Sequence, residues 1–229
     1  MNYVISDIHG DFNRFLKMLK KINLGSDDVL YIIGDIPDRG NQTFELLDFV
    51  MKANNVIHIK GNHELFLQQY LEGNSKIIEK YPQYGGTPVI NSLKSISVER
   101  KERYHKYLSD LPIYKIIAVN GVEYVLTHSG YVADELPVYK DNAAVDIIAS
   151  IEQWCKSSEY NYLISNDLHY IPASVKFKKL IVGHYPTSYL ECNGIYHCNR
   201  YINIDNGAKT IPGRKLACLR LEDMQEFYV

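Results

Sequence analysis

Tyr3-Val4-Ile5-Ser6-Asp7-Ile8-His9-Gly10 decides the fold: an apolar run breaks at once into a carboxylate, an imidazole and a glycine. Phe12, Phe15, Leu16, Leu19 and Ile22 follow at helical spacing, so a short strand ends in a polar loop and an amphipathic helix comes next. The unit recurs. Val29 to Ile33 leads into Gly34-Asp35-Ile36-Pro37-Asp38-Arg39-Gly40 and then Phe44, Leu47, Val50 and Met51 in helical phase, and Val56 to Ile59 leads into Gly61-Asn62-His63-Glu64. Strands alternating with helices imply parallel pairing through right-handed crossovers. Farther along, Glu123 to Leu126 ends in Thr127-His128-Ser129-Gly130, Leu180 to Val182 ends in Gly183-His184, and Tyr201 to Ile204 reads as another strand.

Between these units, residues from about Gly73 to Leu111 read as a mainly helical subregion broken at Gly85-Gly86-Thr87-Pro88, with Tyr104, Tyr107, Leu108 and Leu111 as its buried stripe. Ala143 to Cys155 carries Val145, Ile148 and Ile151 in phase and reads as a helix. Asn193-Gly194, set between alternating runs in Tyr189 to Tyr196, predicts a tight hairpin turn. Leu216 to Leu221 predicts a final strand. With no repeat, low-complexity tract or linker, the 229 residues predict a single α/β domain over 1–229.

A net charge of -2 gives no global field for nucleic acid or an anionic membrane. No segment approaches the ~20 apolar residues of a membrane span, and the first apolar run is too short for a secretory leader. The cysteines lack zinc-knuckle spacing, so the expected setting is a reducing cytoplasm. Nineteen tyrosines are scattered and read as half-exposed core edges. His58 in its apolar run reads as a core residue, and His105 among Lys101, Arg103 and Lys106 as a solvated helix face.

The polar clusters all sit where strands end, the position at which open α/β sheets gather ligands. Alone, an Asp-x-His is a helix cap beside a surface histidine. Together, Asp, Asn and His side chains in this order supply the donors of a bimetal site, and two such ions roughly 3.5–4 Å apart hold both ends of a phosphoryl displacement. Extended backbone is expected to aim Asp7 and His9 at one ion. A carboxylate at Asp35 can bridge two ions, and Asn62, His128 and His184 complete the second. His63 is free to act as an acid, with Asp38 as the carboxylate that raises its pKa, and Arg39 suits a phosphate grip.

These motifs resemble the calcineurin-like metallophosphoesterases, in particular their phosphoprotein phosphatase branch, marked by Asp-x-His-Gly, Gly-Asp-x-x-Asp-Arg-Gly, Gly-Asn-His-Glu and two separated histidines. Gly85-Gly86-Thr87 and Ile204-Asp205-Asn206-Gly207-Ala208 extend the likeness over nearly the whole chain. The resemblance implies two packed mixed β-sheets flanked by helices. It also implies that Asp7, His9 and Asp35 bind one metal and that Asn62, His128 and His184, with Asp35 shared, bind the other. Attack would come from a metal-bridging hydroxide, with His63 and Asp38 catalytic and Arg39, Asn62 and His63 on the phosphate.

Two departures stand out. The family's phosphatases carry a second phosphate-gripping arginine between the late histidines, whereas no arginine occurs from Tyr104 to Asn199, and Ser165 or Asn166 stands at the matching place with His169 nearby. Ile36-Pro37 stiffens the second loop.

The expected function is therefore a dinuclear, manganese-activated phosphatase acting on phosphoserine or phosphothreonine in proteins, or on small phosphoesters, with iron or zinc also admissible. Asp38 and Glu64 match the phosphatase branch, while the missing arginine favours the alternative of a dinucleoside polyphosphate hydrolase. A non-catalytic metal-binding scaffold is the remaining reading. Oligomeric state is not encoded.

Overall fold

The computed structural model describes residues 1–130, 178–199 and 201–229. It holds two five-stranded mixed sheets flanked by helices. In the first sheet, β1 (Asn2–Ile5), β2 (Val29–Ile33) and β3 (Val56–Ile59) run parallel, with α1 (Phe12–Ile22) and α2 (Thr43–Val50) as the crossovers. The second sheet contains β4 (Tyr114–Val119), β5 (Val122–Thr127), β6 (Lys178–Val182), β7 (Tyr196–His197) and β8 (Tyr201–Asn203) in the order β4-β5-β6-β8-β7. β9 (Ala217–Arg220) returns antiparallel to β1, and β10 (Gln225–Tyr228) closes that edge.

Side-chain alternation along the strands builds two layers of core. Tyr3, Ile5, Leu30 and Ile32 face the helices and pack with Phe15, Met18, Phe44 and Leu47. Val4, Tyr31 and Ile33 point the other way and meet Leu126, Ile181 and Ile202 of the second sheet. The period of two therefore sends one strand's residues into both layers, which is why β1 and β2 read as continuous apolar runs. Each fully buried aliphatic side chain contributes about 1.5–3 kcal/mol, so the strand ends that carry the polar clusters are anchored on both faces.

The stretch after β3 is helical, as its stripe predicts: α3 (Asn62–Leu71), α4 (Ser75–Lys80), a 3-10 turn at Tyr81–Tyr84, α5 (Thr87–Leu93) and α6 (Val98–Ser109). Tyr104 and Leu108 are fully buried.

One expectation fails here, and two strands lie outside the sequence reading. Asn193-Gly194 is not a hairpin turn: Thr187–Leu190 forms a 3-10 turn, and Tyr196 pairs instead with Asn203, so the reversal lies beyond Cys198. Thr187 Oγ1 donates to the Gly194 carbonyl, a side-chain bond that replaces a ladder bond. β4 and β10 were not foreseen, because Tyr114–Val119 mixes exposed and half-buried positions and Gln225–Tyr228 is an edge strand with little apolar signal. Cys192, Cys198 and Cys218 are free thiols. The expected helix over Ala143 to Cys155, together with Ser165, Asn166 and His169, falls outside the described residues. Among the described residues no helix is long and apolar enough to cross a membrane.

Candidate metal centre

Strand-end loops bring every named site residue to one place, but not by extended backbone. Asp7 (φ 52°) and His9 (φ 49°) are both left-handed, as are Asp35, Asp38, Arg39 and His184. Non-glycine residues adopt this region at a cost, and six of them clustered at one site mark a backbone that the surrounding packing holds in place. The loops brace one another: Asp7 N donates to the Gly34 carbonyl, His9 N to Asp35 O and Gly10 N to Ile36 O. Gly34 (φ 91°) is confined further, since a Cβ there would sit 2.5 Å from His128 Nδ1 and 2.7 Å from Gly61 Cα.

Asp35 lies at the middle, buried, with its two oxygens facing opposite ways. Oδ2 is 3.7 Å from His9 Nε2 and 3.7 Å from His63 Nε2, whereas Oδ1 is 3.2 Å from His128 Nε2. Asn62 Oδ1 lies 2.9 Å from His128 Nε2 and 3.1 Å from His184 Nδ1. Donor atoms of His9, Asp35 and His63 come within 4.8 Å of one another, and so do those of Asp35, His128 and His184. Asp7 lies between the groups, its Oδ1 4.0 Å from His9 Nε2 and its Oδ2 taking bonds from Ser6 Oγ (2.5 Å) and His184 N (3.1 Å).

Each imidazole is oriented through its other nitrogen or its backbone. His9 Nδ1 donates to Pro37 O at 3.0 Å and His128 Nδ1 to Ile33 O at 2.9 Å, leaving both Nε2 atoms aimed inward. Pro37 thus has a use beyond stiffness: its carbonyl fixes the His9 tautomer. His63 Nδ1 donates to Asp38 Oδ2 at 2.6 Å, and Tyr81 O–H to Asp38 Oδ1 at 2.5 Å. Arg39 Nη1 lies 2.7 Å from His9 Nε2 and 2.7 Å from Thr210 Oγ1, so the guanidinium spans the mouth of the site.

The donors are nitrogen and oxygen only, with no thiolate in either group, which fits hard and borderline divalent ions. The charge pattern agrees. Burial and the Arg39 charge hold His9 well below the usual imidazole range, so it is a neutral donor. Burial opposes a charge on His128, but Asp35 overcomes it and raises that pKa to about 10. A proton there occupies the position that a cation would take over, since metal and proton compete for such donors. His63 is likewise penalised by burial, yet Asp35 and the Asp38 hydrogen bond raise it above the usual value.

Sequence reasoning overlooked the supports. Glu64, fully buried, accepts from Asp35 N (2.8 Å), Ile36 N (2.7 Å), Gly61 N (2.8 Å) and His58 Nε2 (3.2 Å), which fills all the lone-pair directions of one carboxylate. His58 Nδ1 in turn meets Tyr107 O–H at 3.0 Å, tying the site to α6. His58 is buried, as its apolar surroundings predict, but it serves as a hydrogen-bond relay. Nothing in the spacing around Tyr81 or Tyr107 signals these roles. Asp205 is also buried beside Asp7, its pKa pushed well up by burial and that charge, and its motif was the one available signal.

The family model described as calcineurin-like phosphoesterase matches residues 3–211. The asymmetrical bis(5'-nucleosyl)-tetraphosphatase PrpE of Bacillus velezensis is 29% identical over 152 residues, 59% of this chain and 59% of that protein. A symmetrical bis(5'-nucleosyl)-tetraphosphatase of Aliivibrio fischeri is 26% identical over 166 residues, 72% of this chain and 56% of its own length. The alignments thus span well under two thirds of these relatives. A solved candidate diadenosine tetraphosphatase superposes with TM-score 0.64 at 16% identity, covering 100% of this chain and 92% of that one, a likeness of fold.

Proposed function

Because this chain belongs to the calcineurin-like phosphoesterase family, we propose that it is a dinuclear metallohydrolase that cleaves dinucleoside tetraphosphates. The observation that carries phosphoester hydrolysis is the divided carboxylate of Asp35, with one oxygen toward His9 and His63 and the other toward His128. The substrate class is supported by the tetraphosphatases among the relatives and by the missing second arginine, which a phosphomonoesterase uses to grip a lone phosphate.

In this reading Asp7, His9 and Asp35 would hold one ion, and Asn62, His128 and His184, with Asp35 shared, would hold the second. Two divalent ions held there, with manganese as the choice for activity, would supply a water of lowered pKa and charge to neutralise phosphoryl oxygens. The chain's own groups do the rest. Arg39 pairs with non-bridging phosphate oxygens. Asp38 accepts the His63 Nδ1 proton, which leaves the Nε2 proton of the imidazolium aimed into the site, so His63 can protonate the departing nucleotide's phosphate oxygen. Tyr81 holds Asp38 from behind.

A protein phosphatase is the second reading, favoured by Asp38 and Glu64. Both are fully buried, however, and bond inward to His63 and to backbone amides, so neither faces a substrate and their power to discriminate is small. Product analysis with manganese, diadenosine tetraphosphate against a phosphoserine peptide, tests the ranking. Faster tetraphosphate cleavage is expected; preferential release of phosphate from the peptide overturns it.

A further inference from the structure

Beside the metal centre, α1 and the loop from Gly207 to Lys215 enclose an open cavity of about 580 Å³. Its wall carries Arg14, Lys17, Lys209, Arg214 and Lys215, and it includes Thr210, which Arg39 reaches. The chain as a whole is slightly acidic, at -2, so this concentration of one sign is local. Among the described residues, Asp11 is the side-chain carboxylate ion-paired with it, 3.3 Å from both Arg14 Nε and Lys209 Nζ. Neither guanidinium is idle. Arg14 donates to the carbonyls of Ala208 and Arg214, and Arg214 to Cys192 O, Asn193 Oδ1 and Asn206 Oδ1, so both fix the loop's shape. The lysines Lys17 and Lys215 are exposed at its rim.

Continuity with the centre comes from Thr210, whose Oγ1 takes a 2.7 Å bond from the same Arg39 Nη1 that reaches His9. An anion gripped by Arg39 therefore has a cationic trough leading away from it along α1, where Lys17 lies roughly 9 Å beyond Asp11 at the usual rise per residue. A single phosphate needs no such trough. A linear chain of phosphates, with a negative charge on each unit, matches it in shape and sign.

We propose that this cavity is a polyphosphate subsite, in which Lys17 and Lys215 meet the phosphates lying beyond the one at Arg39. It deepens and rests on the tetraphosphatase reading, and it assigns the charge that the absent arginine does not supply. It makes Lys17 and Lys215 specificity determinants.

The manganese-loaded enzyme and its Lys17→Ala/Lys215→Ala variant would be assayed on diadenosine tetraphosphate and on p-nitrophenyl phosphate, with melting curves to verify folding. For the tetraphosphate, kcat/KM should fall about tenfold or more, chiefly through KM, while aryl phosphate hydrolysis stays within about twofold. Calorimetric binding of tripolyphosphate, with manganese in excess over the anion, should weaken in parallel. Unchanged KM and unchanged tripolyphosphate binding would overturn the subsite, as would equal losses on both substrates. If the wild type leaves diadenosine tetraphosphate intact yet binds tripolyphosphate through these lysines, the tetraphosphatase reading fails while the anion site stands, with free polyphosphate as its ligand.

Discussion

The loops after β1, β2 and β3 and the helical stretch from α4 to α6 contribute to the same centre in opposite ways. The loops, together with the first residues of α3 and the ends of β5 and β6, provide the donors themselves, in sequence order. The helices provide none, yet Tyr81 fixes Asp38, the Gly85 carbonyl accepts from Arg39 N at 2.9 Å, and Tyr107 reaches Glu64 through His58. The difference teaches that ligand identity is local chemistry, whereas ligand aim is set by residues tens of positions away. A left-handed Asp38 or Arg39 is stable only because something distant holds it.

The comparison can be broken hardest on the loop side. Asp35→Ala removes the carboxylate common to both donor groups, so manganese stoichiometry should drop and turnover on any phosphoester should fall by ~10³-fold or more, the scale of a lost principal electrostatic stabiliser. Equilibrium dialysis and a rate assay check it; wild-type stoichiometry in the variant would remove Asp35 from the bridge.

The next effect is that of the acid. His63→Asn should lower kcat by about 10²–10⁴, with KM nearly unchanged. Because Asp35 and Asp38 raise the His63 pKa, the imidazolium persists through neutral pH and is lost as pH rises past the raised value, so kcat should show a falling alkaline limb. That limb should vanish in His63→Asn. In Asp38→Asn it should move to lower pH, since the supporting charge is gone; an unmoved limb would show that another group titrates.

On the helical side the effects should be smaller and indirect. Tyr81→Phe deletes one short bond to Asp38, worth about 1–1.5 kcal/mol, and should cost roughly tenfold in kcat with metal affinity intact. Tyr107→Phe leaves His58 without its outer partner; manganese affinity should weaken by no more than about tenfold, the low end for outer contacts of a metal site. If Tyr107→Phe outweighs His63→Asn, the division between donors and supports is wrong.

Legibility in the sequence followed this division. Parallel pairing of β1 to β3 and the placement of Asp7, His9, Asp35, Asn62, His63, His128 and His184 after strands come from local periodicity and motif order, whereas the two packed sheets were implied only by the family resemblance. The turn at Asn193-Gly194 misled, because a favourable dipeptide says nothing of the Thr187 bond that claims the Gly194 carbonyl. β10 was invisible for the reason most edge strands are, with one face of weak apolar pattern.

By itself the sequence determined which donor atoms stand at the candidate metal centre, since residue type and strand-end position fix donor chemistry. Only the tertiary structure decided where those atoms point: the division of Asp35's oxygens, the tautomers of His9 and His128, the saturation of Glu64 and the cationic wall formed by α1 and the loop after Asp205. The physical reason is range. Periodicity and side-chain chemistry act within a few residues, while hydrogen bonds and charges act through space between segments that the chain brings together only by folding.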